Sequence, residues 1–73
     1  MVEQPDELKK LVAVATDIIL DVKLRSNAIK LIGDMGSYEA LLALLSLVAN
    51  EKLTRGEREL ALNESRRIIK SGR

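Results

Sequence analysis

Pro5-Asp6-Glu7-Leu8-Lys9-Lys10-Leu11-Val12-Ala13-Val14 and Tyr38-Glu39-Ala40-Leu41-Leu42-Ala43-Leu44-Leu45-Ser46-Leu47 are two copies of one pattern, 33 residues apart. Each carries an acidic residue in second place, Asp6 or Glu39, and continues with apolar side chains at helical spacing. The same offset lays Leu20 on Leu53, Asp21 on Thr54, Arg25 on Arg58, Ala28 on Ala61 and Ile29 on Leu62. A period of this length belongs to helix–turn–helix units that bury their apolar faces by stacking on one another. The chain therefore reads as all-α, a single domain over residues 1–73 with repeat units of about 5–37 and 38–71.

Four helices follow from the pattern. The first is expected from Pro5 to Leu20, with Asp6 and Glu7 against the positive end of its dipole and Leu8, Leu11, Val12, Ala15, Ile18 and Ile19 as its buried stripe. Asp21 is placed to cap a second helix, Val22 to Met35, with Leu24, Ala28, Ile29, Leu31, Ile32 and Met35 inward and Gly36 as its left-handed stop. Ser37 caps a third, Tyr38 to Ala49, and Asn50 to Leu53 reads as the one sizeable polar connection. Thr54 and Glu57 form a capping box that opens the fourth. This last helix turns Leu60, Ala61, Ile68 and Ile69 inward and ends at Gly72.

The run Leu24-Arg25-Ser26-Asn27-Ala28-Ile29-Lys30-Leu31-Ile32-Gly33-Asp34-Met35-Gly36-Ser37-Tyr38-Glu39-Ala40-Leu41, continued to Leu44, resembles the HEAT-like repeat of the phycobilisome-lyase type. That family carries an apolar-Arg-x-x-Ala start, a Gly-x-apolar-Gly ending, a short acidic turn and a Glu-Ala-Leu-x-x-Leu second helix. In the second unit Glu57 replaces the apolar residue before the Arg, and the Gly-x-apolar-Gly ending is missing, which suits a terminal helix. The resemblance implies a four-helix, right-handed α-α superhelix of two stacked hairpins, used for protein–protein contact. It also implies that Arg25 and Arg58 form an inter-repeat ladder of hydrogen bonds and ion pairs, with Asp21 or Asp34 as a partner.

Between Ala40 and Ala49 only Ser46 is polar, so the third helix is apolar all round. Either the other helices wrap it, since the third of four can sit centrally, or Leu42, Leu45 and Ala49 emerge on a homodimer surface. Tyr38, the lone aromatic, stands at the start of that helix as a contact anchor or packs over the turn at Gly36. The self-association candidates are thus Tyr38, Leu42, Leu45 and Ala49.

Charge divides unevenly. Residues 1–51 hold five basic and eight acidic side chains, a net of −3, whereas residues 52–73 hold seven basic and three acidic, a net of +4. Arg66, Arg67 and Lys70 in the basic segment are candidates for phosphate binding, the alternative function being duplex nucleic-acid binding. One aromatic residue is too few for a base-stacking surface.

Catalysis is not expected. There is no His or Cys, so the usual base for a serine nucleophile and the usual structural-zinc ligands are absent. Asp17 and Asp21 are the nearest approach to a carboxylate pair and read better as a solvated helix boundary. Gly33-x-x-Gly36 ends a helix instead of opening one, unlike a phosphate cradle. No cofactor or metal is expected. The longest uncharged apolar run is about half a bilayer span, and the first residues lack the order of a signal peptide, so a cytoplasmic, non-membrane protein is expected. The function expected is a non-catalytic interaction module that self-associates, most simply as a homodimer.

Overall fold

The computed structural model describes residues 4–72; Arg73, counted above in the basic segment, lies outside them. The described chain is all-helical: α1 (Gln4–Ala15), α2 (Val22–Met35), α3 (Tyr38–Val48) and α4 (Arg55–Gly72). Starts and stops at the middle turns follow local chemistry. Gly36 takes φ 65°, the left-handed conformation that ends α2. Ser37 then accepts the Ala40 amide at 3.1 Å and starts α3. At α4 the Thr54 amide donates to Glu57 Oε1 at 3.0 Å and the Glu57 amide donates to Thr54 Oγ1 at 3.2 Å, closing the capping box. Asp21 stands at the N-cap of α2 but its side chain makes no capping bond.

The first helix is shorter than its periodicity predicts. It stops at Ala15, five residues before Leu20, because Thr16 Oγ1 bonds back to the Val12 carbonyl at 2.8 Å and Asp17 accepts the Ile19 amide at 3.1 Å in an Asx turn. Ile18 and Ile19, expected in the core, project from that turn; Ile19 is 89% exposed. The turn recurs, bond for bond, 33 residues later. Thr16 N–Val12 O matches Ala49 N–Leu45 O, Asp17 N–Val14 O matches Asn50 N–Leu47 O, and Leu20 N–Asp17 O matches Leu53 N–Asn50 O. Asn50 Oδ1 accepts from Lys52 as Asp17 accepts from Ile19. The duplication is therefore present in backbone geometry as well as in residue types.

α1 packs on α2 and α3 on α4, while α2 also packs on both α3 and α4; α1 and α4 do not meet. The contacts Arg25–Glu57, Gly33–Glu64 and Asp34–Arg67 climb together, so the equivalent helices α2 and α4 lie side by side and parallel. Ala15, Ala28, Ile29, Ile32, Ala40, Leu44, Leu47, Leu53, Ala61 and Ile68 form the core. The central helix is α2, not α3. α3 buries Ala40, Leu44 and Leu47 and leaves its opposite side open. Leu24, Leu31 and Ile69, expected to face inward, are also exposed, because none of the described residues covers them on the outer sides of α2 and α4. No helix among the described residues is long and apolar enough to cross a membrane.

The burial pattern sets a contrast between isoleucines. Ile29→Ala, in the core, is expected to cost about 2–5 kcal/mol, enough to leave so small a domain largely unfolded. Ile19→Ala is expected to stay within about 0.5 kcal/mol of the parent. Urea denaturation followed by circular dichroism measures both; equal losses would contradict the turn placed at residues 16–21.

Candidate functional site

Arg25 and Glu57 meet between the two hairpins, at 6% and 2% exposure. Arg25 Nε donates to Glu57 Oε2 at 2.8 Å and Nη2 donates to Oε1 at 3.3 Å, a forked pairing. Arg25 Nη1 turns the other way and donates to the carbonyls of Leu20 at 2.6 Å and Asp17 at 3.4 Å, within the α1–α2 turn. Glu57 also accepts the Thr54 amide, so one carboxylate joins the start of α4, the flank of α2 and the preceding turn. Among the described residues no buried side-chain polar atom lacks a partner. Burial pushes the Glu57 carboxyl up, but the hydrogen bond and charge of Arg25, together with Thr54, outweigh it and hold the group below the usual carboxylate range.

The ladder residues thus differ in their surroundings. Arg25 bridges the hairpins, and its carboxylate is Glu57 and neither Asp21 nor Asp34. Arg58 stays within its own hairpin, its Nε donating to the Val48 carbonyl at 3.0 Å. The sequence marked Glu57 only as a departure from a repeat pattern and as a cap. Its second role follows only from the packing of α4 on α2, which turns the residue before Arg58 toward Arg25 while Arg58 itself faces Val48. The 33-residue offset also pairs Asp17 with Asn50, two Asx-turn formers, a signal for the recurring turn that the apolar spacing through Ile18 and Ile19 obscures.

The self-association candidates fall on one stripe. Tyr38, Leu42, Leu45 and Ala49 are all exposed, at successive spacings of four, three and four residues, the alternation of a coiled-coil seam. They lie opposite the buried Ala40, Leu44 and Leu47. Tyr38 is 69% exposed and does not bury itself over the Gly36 turn.

The phosphate-binding candidates are less coherent. Arg66 and Lys70 are exposed, one turn apart on α4. Arg67 Nη2 is held by Asp34 Oδ1 at 2.8 Å and Glu64 Oε1 at 2.7 Å, which compensates its charge locally. Among the described residues no group of three or more His, Cys, Asp or Glu side chains is arranged to hold a metal ion. Asp17 and Asp21 do not form a paired site: the first closes its turn and the second is an exposed N-cap.

No family model matches the chain, and neither a curated protein nor a solved structure shows significant similarity to it.

Removing one member of the buried pair strands the other. Glu57→Gln is expected to destabilise the protein by about 3–5 kcal/mol at neutral pH. Because the folded carboxyl lies below its ordinary value, the parent's advantage is full above the unfolded glutamate range and disappears as pH falls through the folded one. Urea unfolding of parent and E57Q at pH 7 and at pH 3 checks this; the gap between them is expected to shrink on acidification.

Proposed function

We propose that the chain is a non-catalytic protein–protein interaction module, a short HEAT-like pair of hairpins that associates with a second copy of itself through α3. One observation carries the reading: the outward side of α3 presents Tyr38, Leu42, Leu45 and Ala49 as a continuous apolar seam at coiled-coil spacing. Scattered exposed apolar residues need no explanation, but a contiguous stripe on one helix does. Two such helices packed together would bury both seams by knobs-into-holes contact. The parallel stacking of α2 on α4 and the duplicated turn support the repeat assignment.

Duplex nucleic-acid binding through Arg66, Arg67 and Lys70 ranks second, since Arg67 is already paired with two carboxylates. A membrane role finds no support in the lengths and polarity of the described helices. Among the described residues no constellation of catalytic side chains supports an enzymatic reading.

Sedimentation equilibrium over a concentration series tests the proposal. The parent is expected to show a monomer–dimer equilibrium, and Leu42→Glu combined with Leu45→Glu is expected to remain folded and sediment as a monomer. A parent that stays monomeric at the highest concentration would sink the self-association reading. Retention on a DNA duplex that is lost at moderate salt, and lost again with R66A and K70A, would favour the second reading instead.

A further inference from the structure

The outer side of the second hairpin holds an open groove of about 320 Å³ lined by Val48, Arg55, Arg58, Glu59 and Leu62. Shifted back by 33 residues, these positions are Ala15, Val22, Arg25, Ser26 and Ile29. The groove is therefore the second copy of the surface on which the first hairpin receives α4. In the first copy the centre of the site is filled, Arg25 gripping Glu57 and Ile29 having no exposed area, while Val22 at its edge stays half exposed. In the second copy Leu62, the counterpart of Ile29, is 37% exposed. Arg58 rests its Nε on the Val48 carbonyl, and no acceptor reaches its two terminal nitrogens among the described residues. Glu59 lines the groove but forms no ion pair with Arg58 among the described residues, and Arg55 adds a second cation.

We infer that this groove is a binding site for the first turn of a helix in a different protein, one carrying a glutamate three residues after a Ser or Thr cap. The ligand chemistry is taken from the filled copy, where Thr54 caps α4 and Glu57 presents its carboxylate to a guanidinium. Two guanidiniums against the one carboxylate of Glu59 leave the lining with a positive excess that complements such an occupant, and of the lining residues only Val48 belongs to α3. A second copy of this chain does not fit. Its own Glu57 is consumed by Arg25, and its free equivalent on the outer side of α2 is Leu24, which would leave Arg58 covered by an apolar side chain without a carboxylate. The contact is also limited in length. In the filled copy Gly33 lets Glu64 pack directly on the α2 backbone, where a Cβ would run into the Glu64 carboxylate. The counterpart of Gly33 in the groove is Arg66, whose side chain holds an incoming helix away after about two turns. The site accepts a helix start and stops a continuing stack.

The test is nuclear magnetic resonance of the intact 73-residue protein, labelled with 15N. The probe is a helix-stapled peptide with the sequence of residues 50–65. Saturable shifts are expected at the Arg58 Nε–Hε and at the Val48 and Leu62 amides. The Glu57→Gln version of the peptide is expected to bind at least about tenfold more weakly, as is the parent peptide to the Arg58→Gln protein. If R58Q does not fold, the two peptides compared on the parent protein still decide. Absence of saturable shifts at Arg58, equal binding of both peptides, or shifts centred on Arg25 through displacement of the chain's own α4 would overturn the inference.

Discussion

Glu57 has one oxygen on the guanidinium of Arg25, while the other reaches both that guanidinium and the amide of Thr54. Arg25 spends its remaining donor on the carbonyls of Leu20 and Asp17. A helix cap, an ion pair and a turn are thus linked through two side chains, both buried where the hairpins meet. Taking two charges out of water is costly, and a buried pair is not by itself a large source of stability. Its value here is registration. Sliding α4 along α2 by one turn, about 5.4 Å, would leave a carboxylate and a guanidinium buried apart.

The apolar contacts around the pair cannot impose that register alone. The core is built from Ala, Ile and Leu on helix faces, residues whose contacts are non-directional and tolerate exchange of volume. Close approach adds a second constraint at the far end of the interface, where Gly33 admits Glu64 and Asp34 meets Arg67. The parallel packing of α2 and α4 is fixed at one end by charge and at the other by the absence of a side chain. The exposed ion pair of Arg67 is screened by water and contributes little to holding the helices together.

The two outer faces differ in character. Each hairpin carries both a receiving surface and a donating surface, but only one of each is used among the described residues. The unused donating surface has become apolar, with Leu24 and Leu31 where the second copy has Glu57 and Glu64. The unused receiving surface keeps its arginine at Arg58 and places Arg66 where the first copy has Gly33. The two ends are no longer complementary to one another, which discourages copies of the chain from adding head to tail into an open filament. The pairing through α3 proposed above would use neither end.

Much of the architecture was legible in the residues. The 33-residue offset is a property of the sequence itself, and the Gly36 stop, the Ser37 cap and the Thr54–Glu57 box are local features that local conformation and hydrogen bonding realise. The early end of α1 was less so, because the periodicity of Ile18 and Ile19 pointed to a helix and the competing Thr16 and Asp17 bonds are equally local. Only tertiary structure decided which apolar residues are covered. Helical spacing identifies an apolar face but not whether another helix lies on it, so Leu24, Leu31 and Ile69 looked like core and are not. The same reason hid the partner of Arg25, which sits 32 residues away and becomes its neighbour only when one hairpin lies against the other.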